Sequence, residues 1–329
     1  MTLPIYDLAD LRTVLKRDDM LRVVRDACMQ HAQHNVISAK SGELLFQEPP
    51  GDCHIRLGYL RGGETFVVKL AMGFYENPSK GLDTNNGLML VFSSHTGKII
   101  AILNDEGWLT SWRTAAAGAL AAKAGAPPQV TALGILGTGH QAEHQAHWAA
   151  HLLGTDRVFI WGRDPAKAAR LAEKLGHHGL SVHALATVEE VFEHCNVVIT
   201  CTPSTQAIVP VSAVKPGTHI VALGADSQGK QELDPHILAM AQVIMTDDHR
   251  QCAERGELGH ALRAGLVTNT ADISLGHVLA GSLQGRINAD DVTVADLTGL
   301  AAQDIAIATL AVGLVRGVAP GDADNVTPS

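Results

Sequence analysis

Charge is scarce in this 329-residue chain, and it leans negative: 18 % of residues are charged, 25 Lys and Arg against 34 Asp and Glu, a formal −9. A nucleic-acid partner needs a basic face to meet phosphates, so none is expected. No apolar run approaches the roughly 18 residues of a membrane span, so a membrane protein is not expected either. Met1 to Asp10 lacks a basic stretch followed by an apolar one, and no secretory signal is read there. Cysteine is also sparse: Cys28, Cys53, Cys195, Cys201 and Cys252 are odd in number and form no CxxC pair. Reduced thiols in a cytoplasmic protein are the expectation. Repeats and low-complexity segments are absent. With 46 % hydrophobic residues and 32 glycines, a substantial core is expected rather than long disordered tracts. An acidic protein repels acidic ligands, so any local cluster of cations is informative.

What is present changes character along the chain. Residues 5 to 34 read as a helix pair. Asp7-Leu-Ala-Asp-Leu11 opens the first, and Asp18-Asp19-Met20 caps the second, with Leu21, Val24, Ala27 and Cys28 at helical spacing. Strand-like pieces follow at Leu44 to Gln47, His54 to Tyr59, Thr65 to Ala71, Gly87 to Ser93 and Ile99 to Asn104. They are parted by turn residues such as Pro49-Pro50-Gly51 and Arg61-Gly62-Gly63. Thr110 to Gly125 is an Ala-rich helix closed by Gly125 and Pro127-Pro128.

Beyond it, short apolar strands alternate with helices. The strands are Val130 to Leu136, Arg157 to Trp161, Asn196 to Cys201, His219 to Leu223 and Gln242 to Thr246. That alternation predicts an α/β fold with a parallel, doubly wound sheet. The helix Ala301 to Arg316 falls outside this pattern, which suggests that it returns to the N-terminal region and makes that region discontinuous. The tail Ala319 to Ser329 is read as frayed.

Gly137-Thr138-Gly139-His140-Gln141-Ala142 follows a predicted strand and opens a helix, the setting that a dinucleotide loop requires. Gly137 permits the tight turn, Gly139 leaves room for the pyrophosphate, and Ala142 lets helix and sheet approach. At the end of the second strand, Arg163 could meet a 2′-phosphate, while Asp164 before Pro165 reads as a helix N-cap. NAD(H) and NADP(H) both stay open.

Three ionisable residues sit in costly settings. Lys69 ends the apolar run Phe66-Val-Val-Lys69, Arg113 faces an apolar helix start, and Asp226 follows the strand Ile220 to Gly224. With these residues the sequence resembles the ornithine cyclodeaminase/μ-crystallin family. The resemblance rests on Lys69 in its strand, Leu109-Thr-x-x-Arg-Thr-Ala-Ala-Ala117, the glycine loop, Gly224-Ala-Asp-Ser-x-Gly-Lys-Gln-Glu-Leu233 and Gly299-Leu-Ala-Ala-Gln-Asp304. Phe74-Tyr-Glu-Asn-Pro78 and Asn85-Asn-Gly-Leu-Met-Leu90 look like the ectoine-utilisation branch, which includes NADH-dependent iminosuccinate reductases.

The resemblance implies a Rossmann domain over residues 119–304 and a substrate-binding and dimerisation domain from 1–118 with 305–329, in a homodimer. It implies that Lys69 and Arg113 bind the carboxylate of a small imino or amino acid and that Asp226 moves a proton, a role helped if its carboxyl is shielded from water. Alongside the loop, it places Thr84, Arg113, Thr114, Gly162 and Arg163 at the cofactor. Thr202, Pro203 and Ser204 join them there, as do Gly224, Ala225, Asp226 and Asp304.

Two departures bear on the substrate. Lys40 stands where the family usually has an arginine, and Arg56, thirteen residues before Lys69, stands where ornithine cyclodeaminases carry an acid. A cation at 56 repels the distal ammonium of ornithine. Lys40, Arg56, Lys69 and Arg113 together suggest a pocket for a dicarboxylic imino acid, although strand alternation alone does not put 56 and 69 on one face. The leading reading is an NAD(P)H-dependent reductase of iminosuccinate to aspartate. A cyclodeaminase recycling bound NAD, a reductase of a cyclic imine such as pyrroline-2-carboxylate, and a non-enzymatic binding role are the alternatives.

Other signals are weaker. His140, His144, His147 and His151 form one helical stripe without the acid of HExxH, so no metal is expected. Asp247-Asp248-His249 reads as a cap near the cofactor, and Cys201 has no base beside it in sequence.

Overall fold

The computed structural model describes residues 3–318, so the tail read as frayed lies outside the described residues. The chain divides into two compact units, one running to Arg113 and resuming at Leu300, the other Thr114–Gly299. The divisions fall inside one helix and just before another, where the sequence suggested 118/119 and 304/305. Asp304 therefore belongs to the first unit.

The first unit opens with β1 (Ile5–Asp7), α1 (Leu8–Val14), α2 (Arg17–Ala32), β2 (Val36–Ser38), β3 (Gly42–Gln47) and β4 (Pro50–Leu60). It continues with β5 (Thr65–Phe74), β6 (Asn85–Ser93), β7 (Ile99–Asn104) and the start of α3 (Trp108–Gly125). Asp7 and Asp10 cap α1 reciprocally, side chain to backbone in both directions. The expected cap of α2 at Asp18-Asp19 lies inside the helix. Lys16 is the N-cap, and the two acids occupy the first turn, where the helix dipole favours them. The turn read at Pro49-Pro50-Gly51 is shorter too, because Pro50 and Gly51 already belong to β4.

The strands form a seven-stranded sheet in the order β1-β7-β6-β5-β4-β2, with β3 paired to β4. All neighbours are antiparallel except β1 and β7. Alternation decides what is covered: Thr65, Val67 and Lys69 of β5 and Met89, Val91 and Ser93 of β6 are buried on one face. The last helix of the chain, Ala301–Val315, packs against β4, β5 and α2. Thr65 Oγ meets Thr309 Oγ of that helix at 2.9 Å. This is the return that its place in the sequence suggested.

The second unit contains β8 (Leu133–Leu136), α4 (His140–Leu153), β9 (Arg157–Trp161), α5 (Pro165–Gly176), β10 (Ser181–Ala184) and α6 (Val188–His194). Next come β11 (Val197–Thr200), β12 (Thr205–Val209), β13 (His219–Ala222), β14 (Gln231–Leu233), α7 (His236–Met240) and β15 (Val243–Thr246). The unit closes with α8 (His249–Arg255), α9 (Glu257–Arg263), β16 (Asp272–Ser274), α10 (Leu275–Leu279) and β17 (Thr293–Asp296). The helix Ala301–Val315 is α11.

Eight strands make an all-parallel sheet in the order β10-β9-β8-β11-β13-β17-β15-β16, and β12 pairs with β14 apart from it. Every residue of β8, β11, β13, β15 and β17 is buried, as a parallel sheet covered on both faces requires. The fold is α/β with a doubly wound sheet. Chain order reverses between β9 and β11 around β8, and ligands bind in such sheets at that crevice, beyond the strands' carboxyl ends.

His219, at the start of β13, is a polar pin in this core. Its Nε2 lies 3.0 Å from Ala121 O in α3 and its Nδ1 2.8 Å from Thr293 Oγ. Burial holds the ring neutral, with its pKa lowered to about 4. The unfolded chain therefore binds a proton that the folded chain refuses between pH 6.5 and 4, so stability falls as pH drops through that window. Urea titrations at pH 7 and pH 4.5 are expected to show a loss of up to about 3 kcal/mol from this group. The loss is expected to shrink in His219→Gln.

Candidate active site

In the first unit, β5 turns Lys69 onto the buried face, where a lone ammonium would be costly. It is not alone. Its Nζ lies 2.9 Å from Asp304 Oδ1 and 2.8 Å from Oδ2, and both residues are 2 % exposed. Asp304 occupies the first turn of α11. Arg113 enters from α3, its Nε 3.0 Å from Asp304 Oδ1 and its Nη1 donating to Gln303 Oε1 at 3.1 Å. The start of α3 is fixed by Asp105, whose Oδ2 accepts from Leu109 N at 2.8 Å.

Arg56 joins this group. In the β4–β5 register it stands directly opposite Lys69, and facing residues on antiparallel strands share a face. Alternation could not decide this, because it fixes the faces within one strand but not the pairing between two. Lys40 is different: it is exposed between β2 and β3, outside the buried cluster.

Three cations thus surround Asp304. Burial lowers the Lys69 pKa to about 7, and Arg113 and Arg56 push the same way, against the raising influence of Asp304. Asp304 moves oppositely: burial alone would raise it, but Lys69, Arg113 and Arg56 hold it below the ordinary carboxylate value. Burial raises Asp105 to about 6. Asp304, expected at the cofactor, is engaged by Lys69 and Arg113. Gln303 and Asp105 were not singled out in the sequence. Asn104-Asp105-Glu106-Gly107 before a helix is a cap signature that marks Asp105.

In the second unit the glycine loop has the required conformation. Gly137 has φ 139°, and a Cβ there would lie 3.0 Å from both the carbonyl oxygen and Sγ of Cys201. Gly139 is the N-cap of α4, and nothing lies within 4 Å of where its Cβ would be. That open approach to a 14-residue helix's N-terminus suits a phosphate. Ala142 is fully buried, as a close helix–sheet contact needs. Thr138 packs so tightly on Gly162 that a Cβ there would meet its Cγ2 at 2.3 Å. Thr114 O accepts from Gln145 Nε2 at 3.0 Å. Thr84, in the first unit, is half-buried before β6.

Asp164 caps α5 by accepting from Ala166 N and Lys167 N, and Arg163 beside it is exposed. In the histidine stripe, His140 and His144 stack edge-on, and burial lowers the His144 pKa to about 4, with His140 adding to the shift. Among the described residues no group of three or more His, Cys, Asp or Glu is arranged to hold a metal.

Asp226 departs from expectation. Its side chain is 49 % exposed and lies 2.8 Å from Lys230 Nζ, so the carboxyl is not shielded from water. The loop after β13 carries it outward, where it pairs with Lys230 four residues along the same loop. Thr202 is anchored by the buried Glu232, a residue not singled out in the sequence, and Ala225 is buried. Cys201 is half-buried, and desolvation, with Glu232 adding to it, pushes its thiol above the ordinary value, which disfavours the thiolate that a nucleophile needs.

The model of the ornithine cyclodeaminase/mu-crystallin family matches residues 10–316. The chain belongs to that family. It is 37 % identical to an uncharacterized cyclodeaminase of Sinorhizobium fredii, across 94 % of this chain and 95 % of the relative. It is 36 % identical to the iminosuccinate reductase of Paracoccus denitrificans, across 79 % of this chain and 81 % of the relative. Among solved structures, an archaeal alanine dehydrogenase dimer with bound NAD superposes with a TM-score of 0.87 at 30 % identity, covering 97 % of this chain and 98 % of that one.

The ion cluster makes two predictions. Asp304→Asn leaves Lys69 and Arg113 buried without a counter-charge, and urea unfolding is expected to show a loss of about 3–5 kcal/mol. Lys69 loses its charge as pH rises through about 7. The inhibition constant of a substrate-like carboxylate is therefore expected to rise across that window, and Lys69→Met, neutral throughout, should abolish the dependence.

Proposed function

We propose that this chain is an NAD(P)H-dependent reductase of α-imino acids whose substrate is a dicarboxylate, iminosuccinate, reduced to aspartate. The observation that carries the reading is Arg56 facing Lys69 in register, which gives the buried cluster more positive charge than one carboxylate needs. The chain is an NAD(P)-dependent oxidoreductase, and its glycine loop fits the cofactor: Gly139 leaves the approach to α4 open, and the end of β9 admits NAD(H) or NADP(H). A bound nicotinamide supplies the hydride.

The protein's own groups bind and orient the substrate. Arg113 and Lys69 take the α-carboxylate, and the guanidinium fork of Arg113 fixes its plane. Arg56 takes the distal carboxylate and would repel the distal ammonium of ornithine. Asp226 faces the cationic iminium, which becomes an amine on receiving hydride.

Substrate binding belongs to the first unit in this reading, and so does assembly into a homodimer. Leu44, Leu45 and Phe46 of the edge strand β3 are exposed, with Ile55 and Leu57 of β4 beside them. An apolar edge of this kind suits a second copy of the chain. None of the five cysteines forms a disulfide, which fits work in the reducing cytoplasm.

Cofactor oxidation with oxaloacetate and ammonia, pyruvate and ammonia, pyrroline-2-carboxylate and ornithine tests the reading. The dicarboxylate is expected to turn over best, and Arg56→Glu is expected to lower its kcat/KM at least about 30-fold, as loss of a charge-assisted contact would. The pyruvate reaction should change only a few-fold. Ammonia release from ornithine without net cofactor turnover would sink the proposal. Light scattering is expected to show a dimer that Leu45→Glu converts to monomer.

A further inference from the structure

We infer that Glu232 is a positioning residue that holds the two turns receiving the second half of the dinucleotide. The inference rests on cofactor binding and is independent of which imino acid is reduced. Glu232 is fully buried, and its carboxylate accepts four hydrogen bonds. Oε2 accepts from Thr200 Oγ at 2.6 Å and Gly224 N at 2.7 Å, and Oε1 from Thr202 N at 2.6 Å and Thr202 Oγ at 2.8 Å. Thr200 and Thr202 lie at and beyond the end of β11, and Gly224 lies beyond the end of β13. One side chain therefore ties together two neighbouring strand ends.

Their place in the sheet says what they hold. The pyrophosphate loop follows β8, and the two halves of a doubly wound sheet each take one nucleotide, on opposite sides of the switch point. With β9 and β10 on one side, the ends of β11 and β13 remain for the other nucleotide. The turns also abut: a Cβ on Gly224 would lie 2.1 Å from Thr202 O and 2.5 Å from Glu232 Cδ. Thr202-Pro203-Ser204 and Gly224-Ala225-Asp226 are thus held as one surface.

Glu232 is itself fixed from behind. Its backbone N–H donates to Glu257 Oε1 at 2.6 Å, and Leu233 N donates to Oε2 at 3.2 Å. Asp296, at the end of β17, accepts from Leu258 N at 2.9 Å and so anchors the start of α9, which carries Glu257. The row of buried acids runs from the sheet interior to the two turns.

Glu232→Gln keeps the shape but turns an amide NH2 toward either Thr202 N–H or Gly224 N–H, so one turn must come loose. ADP carries the adenosine and both phosphates but neither the second ribose nor the nicotinamide, so it reads the loop after β8 without the second half. Titration calorimetry on the full-length protein is expected to show NADH binding at least tenfold weaker in Glu232→Gln, with ADP within twofold of the parent. Thr200→Val, which deletes one donor to Glu232 at constant volume from a buried residue of β11, should shift NADH alone by about threefold and decides the matter where Glu232→Gln does not fold. Equal weakening of both ligands, or of neither, overturns the positioning role. Failure of the parent protein to bind either ligand would instead overturn the cofactor reading beneath it.

Discussion

The Lys69–Asp304–Arg113 ion cluster is the constraint on which the first unit turns. Its members come from a central strand, the start of α3 and the first turn of α11, so they are far apart in sequence and joined only by folding. Each alone would be prohibitively costly at 2–6 % exposure. Together they make burial tolerable, provided that α11 returns across the sheet. The discontinuity of the unit and the charge of its site are consequences of one arrangement. Thr65 and Thr309 hold the same helix to the same sheet one turn and a half farther along, so the return does not rest on charge alone.

This arrangement also resolves the contrast between an acidic chain and the anionic ligand proposed for it. The net −9 is a sum over the whole sequence, whereas the cluster concentrates three cations around a single acid. Field at the site governs what binds there. Burial lowers the Lys69 pKa to about 7, so the cluster sets a titratable cation beside two guanidinium groups.

The second unit solves a different problem with the opposite charge. Turns beyond the strand ends must present backbone to a ligand and cannot also pair it within the sheet. Buried acids take over N–H groups in these turns and in the elements behind them. Asp247 accepts from Thr298 N and Gly299 N, Asp296 from Leu258 N, Glu257 from Glu232 N, and Glu232 from Thr202 N and Gly224 N. Acids satisfied by several donors can remain in the core where solitary ones could not, with burial raising Glu232 and Glu257 and taking Asp296 to about 7.

Features set by neighbours in the chain were legible beforehand. The Gly137-x-Gly139 turn, the Asp164 cap, the apolar core strands of the parallel sheet and the buried stripe of α2 depend on local conformation and periodicity, which a sequence displays directly. Less was visible elsewhere: the edge strands β10 and β16 are partly polar, and the interior strand β17, with two apolar residues in four, is inserted between β13 and β15 from far along the chain. Tertiary structure alone decided that Arg56 faces Lys69, that Asp304 pairs with Lys69 and Arg113, that Lys40 lies outside the cluster, and that Asp226 stands in water beside Lys230. Strand register and the partners of a buried charge depend on which distant segments meet. That is settled by the packing of whole elements rather than by any local pattern.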